Sequence, residues 1–230
     1  MITTRRADER GTADYGWLQA RYSFSFAEYH DPQHMGFRSL RVLNEDRIAP
    51  NGRFPMHDHR DMEILTYVIE GAIQHRDSMG HTTLVKAGEF QIMSAGSGVT
   101  HSEENPSSSD PLHLLQVWIR PSERGLTPRY EQAEFHDRTN ALRRVVSATG
   151  ESDSLRINQD VEIHSAILES GASLMHDLDP DRHAWIQIVR GSIEVGETVL
   201  NAGDSVSISN EATVSVSALE RSEFLLFDLA

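Results

Sequence analysis

Two halves of the chain carry one pattern. EILTYVIEGAIQHRD (63–77) and AWIQIVRGSIEVGE (184–197) each set an apolar run, a glycine and a second run in that order. TLVKAGEFQIMSAG (83–96) and TVLNAGDSVSIS (198–209) each follow with an Ala-Gly-acidic turn. A repeated sequence unit predicts a repeated structural unit. The flanking runs, RSLRVLNED (38–46), LHLLQVWIRP (112–121), LRRVVSA (142–148), VEIHSAILESG (161–171) and SEFLLFDLA (222–230), have the length and the β-branched or aromatic content of strands. Long stretches with a 3.6-residue apolar period are scarce. The chain is therefore expected to be all-β, with two tandem, jelly-roll-like β-barrel domains. PSERGLTPRYEQAEF (121–135) mixes Pro, Gly and charge as a linker does. It sets the expected domains at 1–125 and 126–230.

Composition narrows the chemistry. There is no cysteine, so disulfides, thiolate metal sites and cysteine nucleophiles are excluded, and any metal must be held by His, Asp or Glu. A formal net charge of -14 repels phosphate backbones, so no nucleic-acid partner is expected. No apolar run reaches the length of a membrane span, and the opening MITTRRADERGTADYGW has no apolar stretch after its arginines. The expectation is a cytoplasmic protein with no membrane partner. Two barrels in one chain can bury each other's faces, so a monomer is the simplest expectation.

The candidate site lies in the first half. His57 and His59 are two apart in FPMHDHRDMEILTYVIEG (54–71), and residues i and i+2 of a strand project to one face. His101 and Glu103 are again two apart in GEFQIMSAGSGVTHSEEN (88–105), after a bend at Gly96-Ser97-Gly98. Two such pairs on facing strands present three imidazoles and one carboxylate. That set suits one borderline divalent transition metal ion, Fe, Ni, Co, Cu, Zn or Mn. It leaves up to two positions open on a six-coordinate ion, which points to reactivity. The competing motifs fail. A dinucleotide fingerprint would need glycine where His101 stands, and the His-x-Glu of zinc deaminases needs absent cysteines. His30, His34, His75, His81, His113, His136, His164, His176 and His183 have no partner at productive spacing, and they read as surface or satisfied polar residues.

These segments resemble a known family. Gly52-x4-His57-x-His59-x3-Glu63 is similar to cupin motif 1 and Gly98-x2-His101-x3-Asn105 to cupin motif 2. HDHRDMEILTYVIEG, EFQIMSAGSGVTHSE, SFSFAEYHDPQHMGFRSLRVLNED and LTPRYEQ resemble the pirin family, in particular its bacterial members assigned quercetin 2,3-dioxygenase activity. The resemblance implies a bicupin with a metal in the first barrel and a degenerate, metal-free second barrel. The general cupin pattern would make Glu63 a ligand. The pirin pattern uses Glu103 instead and leaves Glu63 either as a hydrogen-bond partner for a ligating histidine or as a strand-end carboxylate with no metal role. Gly96 departs from the general pattern, which has proline there.

The implied reaction is cleavage of a flavonol such as quercetin with O2 and release of carbon monoxide. Its partners would be a small aromatic substrate and O2. Glu103 would be the catalytic base as well as a ligand. Met93, Asn105, Gln116, Leu65, Tyr67 and Trp118 are candidates for the pocket, and packing roles are open for each. Two alternatives stand beside this reading. One is a non-enzymatic, metal-dependent binding or redox-responsive regulatory protein. The other is a different cupin reaction served by the same four ligands.

Overall fold

The computed structural model describes residues 1–230, almost wholly as antiparallel strands and connecting turns. None of its helices is long and apolar enough to cross a membrane. The chain forms two compact units. One comprises Gly11–Glu134 with Leu155–Gln159, and the other Met1–Arg10, Phe135–Ser154 and Asp160–Ala230.

In the first unit a seven-stranded sheet runs in the order Arg129–Glu134, Glu89–Ser94, Glu63–Glu70, Leu112–Ile119, Leu40–Ile48, Leu18–Tyr22, Gly11–Asp14. A four-stranded sheet runs Arg53–His59, Val99–Glu104, Ala72–Asp77, Thr82–Lys86. In the second unit the strands Ser205–Ser209, His183–Arg190, Ser222–Leu229 and Val161–Leu168 repeat the central order of the large sheet. Ser173–Asp177, Thr213–Ala218, Ser192–Val195 and Thr198–Asn201 repeat the small one. The internal repeat is thus a repeat of topology, and the bicupin expectation holds. The glycine between the paired runs has nearly the same left-handed conformation in both, φ 79° at Gly71 and 78° at Gly191.

The units do not meet at a single cut at 125/126. Ile2–Arg5 is an edge strand of the second unit, paired with Ser205–Ser209 from Ile2 opposite Ile208 to Arg5 opposite Ser205. The expected linker contains a strand of the first unit, Arg129–Glu134, laddered on Glu89–Ser94 with Arg129 opposite Ser94. Leu155–Gln159 is held there too. Arg129 donates to the Arg156 carbonyl at 2.6 Å, and Ser122 N donates to the Asn158 carbonyl at 2.8 Å.

Parity along the central strands decides what can reach the site. On Glu63–Glu70 the ladder sets Ile64 beside Met93 and Trp118, and Thr66 beside Gln91 and Gln116. Glu63, Leu65 and Tyr67 alternate with these and point to the other face. There Tyr67 stacks on Phe90 with ring centroids 4.3 Å apart. Leu65 and Tyr67 are therefore packing residues of the outer face, a correction to their candidacy for the pocket. Ile64, Met93 and Val99 form a buried apolar cluster, with Met62, Met79 and Trp118 packed against it.

In the second unit the small sheet carries no counterpart of the His-x-Glu pair. Thr213–Ala218 reads TVSVSA, and Val214, Val216 and Ala218 fill that interior as members of its core cluster.

Candidate metal centre

Val99–Glu104 alternates cleanly, with Val99, His101 and Glu103 buried and Thr100, Ser102 and Glu104 partly exposed. It pairs with Arg53–His59 so that Val99 faces His59 and His101 faces His57. The register then shifts, and Glu103 stands opposite Phe54. This bulge at Pro55–Met56 falls where proline has no N–H to give the ladder. It also frees the Pro55 carbonyl, which accepts from His57 Nδ1 at 2.7 Å. A carbonyl cannot donate, so His57 Nδ1 carries a proton, and in the neutral ring the lone pair is on Nε2.

The imidazoles of His57, His59 and His101 converge, with centroid separations of 4.8 Å (His57–His59), 4.4 Å (His57–His101) and 4.8 Å (His59–His101). Their ligand atoms lie within 4.8 Å of one another. A second triad, His75, His101 and Glu103, meets the same limit and shares His101. His101 Nε2 is buried with no hydrogen-bond partner. Burial, reinforced by the neighbouring imidazoles, pushes His101 down to about 2, and burial beside His57 pushes His59 down to about 4. His59 and His101 are therefore neutral at neutral pH and can offer lone pairs. Trp118 packs edge-on to His59 with ring centroids 4.9 Å apart.

Glu103 is 2% exposed. Gln116 Nε2 donates to its Oε2 at 3.1 Å, and Thr66 Oγ1 donates to Gln116 Oε1 at 3.1 Å. Burial raises the Glu103 carboxyl to about 7, opposed by the Gln116 bond. Three converging imidazoles, one with an orphaned buried nitrogen, and a buried carboxylate near them fit a divalent transition metal ion as nitrogen and oxygen donors. Of the residues the sequence pairs in twos, His57, His59 and His101 form one close group, while Glu103 meets the same limit with His101 and His75, and Gln116 is hydrogen-bonded to Glu103.

Glu63 and Asn105 do other work. Glu63 accepts from Ser94 Oγ at 2.7 Å and from Asn158 Nδ2 at 3.0 Å, not from a ligating histidine. Asn105 Nδ2 donates to the carbonyls of Ile48, Ala49 and Asp110, and its Oδ1 accepts from Ser107 N. It ties down the loop after the ligand strand and does not line a pocket. Met93 lies on the site face but is wholly buried among apolar neighbours.

Sequence spacing missed His75, Asp77, Gln91 and Asp46. His75 is wholly buried, with Asp77 Oδ2 at 2.9 Å from Nε2 and His101 Nδ1 at 3.5 Å from Nδ1. The available signal was parity, since His75 and Asp77 share a strand face with buried Ile73.

Asp46 is buried, and its Oδ1 has no partner. Burial, with the nearby Glu103 and Glu45, pushes its carboxyl up to about 8. A carboxyl whose folded pKa exceeds its unfolded value of about 3.9 is most favourable when protonated, below that value. Its contribution is lost as pH rises towards 8. The stability advantage of Asp46→Asn in the metal-free protein should therefore grow by on the order of 1 kcal/mol per pH unit between about pH 4 and pH 8. Urea unfolding of both proteins across that range measures it, and a difference independent of pH would refute it.

A cavity of about 290 Å³ lined by Asp58, His59, Arg60, Gly98, Val99 and Thr100 adjoins the cluster on the His59 side.

Comparison with known proteins places the chain. Residues 3–119 match the family model described as Pirin, and residues 144–229 match the quercetinase C-terminal cupin domain. The chain belongs to the pirin family. A pirin relative from Escherichia coli (strain K12), described as quercetin 2,3-dioxygenase, is 47% identical over 229 residues, covering 100% of this chain and 99% of its own length. One from Caulobacter vibrioides, described as a pirin-like protein, is 40% identical over 233 residues, covering 100% of both. The crystal structure of the bacterial pirin YhhW of Escherichia coli in complex with nickel(II) superposes with a TM-score of 0.97 at 46% identity, covering 100% of this chain and 99% of that one. A quercetin 2,3-dioxygenase structure from Acinetobacter baumannii, 19% identical with a TM-score of 0.77, covers 99% of this chain and 85% of that one and shares the fold.

Proposed function

We propose that this pirin is a metal-dependent dioxygenase that opens a flavonol such as quercetin with O2 and releases carbon monoxide. The observation that carries the reading is the buried, unpartnered Nε2 of His101, set among the rings of His57 and His59 and two residues along the strand from Glu103. His57, His59, His101 and Glu103 would hold one divalent transition metal ion. When bound, the ion supplies Lewis acidity to the deprotonated substrate oxygen.

The protein's own groups do the rest. Glu103, whose carboxyl burial raises to about 7 in the metal-free protein, would take the proton of the flavonol 3-hydroxyl. Gln116, held by Thr66, keeps one face of that carboxylate occupied and aims the other at the cluster. Trp118 and the Ile64–Met93–Val99 cluster exclude water behind His59. At about 290 Å³ the adjoining cavity falls just below the ~300–1,000 Å³ of small-molecule sites, so a flat ligand would be only partly enclosed.

The test is to load the metal-free protein separately with Fe, Ni, Co, Cu, Zn and Mn, and to follow quercetin absorbance and carbon monoxide in air. Turnover with at least one ion and stoichiometric carbon monoxide is the expected result. Full occupancy without turnover for every ion would overturn the enzymatic reading in favour of a metal-dependent binding or regulatory protein.

A further inference from the structure

The hydrogen bonds around His75 form a directed chain. Its Nε2 lies 2.9 Å from Asp77 Oδ2, and both side chains are wholly buried. A carboxylate only accepts, so His75 Nε2 carries a proton. In the neutral ring this leaves the lone pair on Nδ1. Two groups face that lone pair, Gln91 Nε2 at 3.4 Å and His101 Nδ1 at 3.5 Å. The Gln91 amide is a donor. If His101 also donates, its own lone pair falls on Nε2, the atom that is buried without a partner among the candidate ligands.

Asp77 is itself anchored. Its Oδ1 accepts from Met79 N at 2.9 Å and from His81 N at 3.0 Å. Tyr130 lies over His75 and His81, at 4.9 and 4.8 Å between ring centroids, and shields the chain from water.

We propose that Asp77, His75 and His101 form a relay that holds His101 as its Nδ1–H tautomer and aims Nε2 at the ion. His75 is a positioning residue acting through His101. The inference rests on the metal reading for the purpose of the relay, whereas the tautomer belongs to the protein alone and can be measured without an ion. Two effects follow when an ion is present. The ligand is oriented before it binds, and the Asp77 charge makes His101 a stronger donor.

The experiment uses the full chain, metal-free and labelled with 15N-histidine, read by long-range 1H–15N correlation spectra. The His101 ring should appear as the Nδ1–H tautomer. His75→Leu, which removes the acceptor, should move His101 to the Nε2–H form or to a mixture. His75→Asn, whose amide oxygen can stand where Nδ1 stood, should restore the Nδ1–H form. In nickel(II) calorimetry His75→Leu should weaken binding by roughly 10–100-fold, with His75→Asn in between. An Nε2–H tautomer for His101 in the unmodified protein, or a spectrum indifferent to His75→Leu, overturns the relay. Should His75→Leu fail to fold, the unmodified spectrum and His75→Asn still decide it. The expected tautomer with no nickel(II) uptake would uphold the relay and overturn the metal reading instead.

Discussion

Quercetin turnover by the metal-loaded protein should fall by roughly 10²–10⁴-fold on Glu103→Gln, the range set by loss of a general base. The replacement is nearly isosteric, and its amide oxygen can still accept from Gln116, so folding should survive. It should also remove the burial penalty that lifts the Glu103 carboxyl to about 7. Three imidazoles remain, so the variant should retain an ion with reduced affinity, and elemental analysis can verify this. His101→Ala should behave differently. It removes the one ring common to both triads and should lose the ion as well as the activity. An occupied Glu103→Gln protein turning over at the unmodified rate would rule out the carboxylate as the base.

The second large effect falls on Gly96. Its φ of 46° is left-handed, and a Cβ there would collide with the Leu126 carbonyl oxygen and lie 2.8 Å from its carbon. That carbonyl cannot withdraw freely, because it accepts from Ser97 N at 2.8 Å. Gly96→Ala should therefore cost about 3 kcal/mol or more, combining left-handed strain with overpacking against backbone. Gly125 makes the control. Its φ of 68° is also left-handed, but nothing lies within 4 Å of its Cβ position, so Gly125→Ala should cost only about 1 kcal/mol. Urea unfolding separates the two. Because the turn leads directly into Val99–Glu104, Gly96→Ala should also weaken metal binding, and native stability in that variant would refute the account.

What could be read from residues alone was whatever depends on short range. The His57/His59 and His101/Glu103 pairs are legible because two-residue periodicity is a property of one strand. The repeated barrel is legible because both copies keep the same glycine turn. Glu63 shows the limit. Its resemblance to the cupin motif 1 glutamate implies a place beside the ligands, yet strand parity sends its neighbour Ile64 to the site face and Glu63 to the other, where Ser94 and Asn158 meet it. The tie with Asn158 spans 95 residues of sequence. His75 and Asp46 were invisible for a related reason. Their importance comes from cross-strand register, His75 opposite Glu103 and Asp46 opposite Leu114, which no local pattern contains. The expected boundary failed because Pro, Gly and charge mark where a chain can turn, and Arg129–Glu134 turns straight back into a sheet.

The crossed ownership of the two short segments bears on how the molecule could be dissected. A fragment stopping at 134 would lack Leu155–Gln159 and leave Glu63 buried without the amide of Asn158. A fragment starting at 135 would bare the Ser205–Ser209 edge that Ile2–Arg5 covers, an invitation to sticky edge-to-edge assembly. Neither barrel can be harvested intact with one pair of scissors. A chain nicked within 135–150, by contrast, would keep its pieces laced together, since each carries a stretch of the other's fabric.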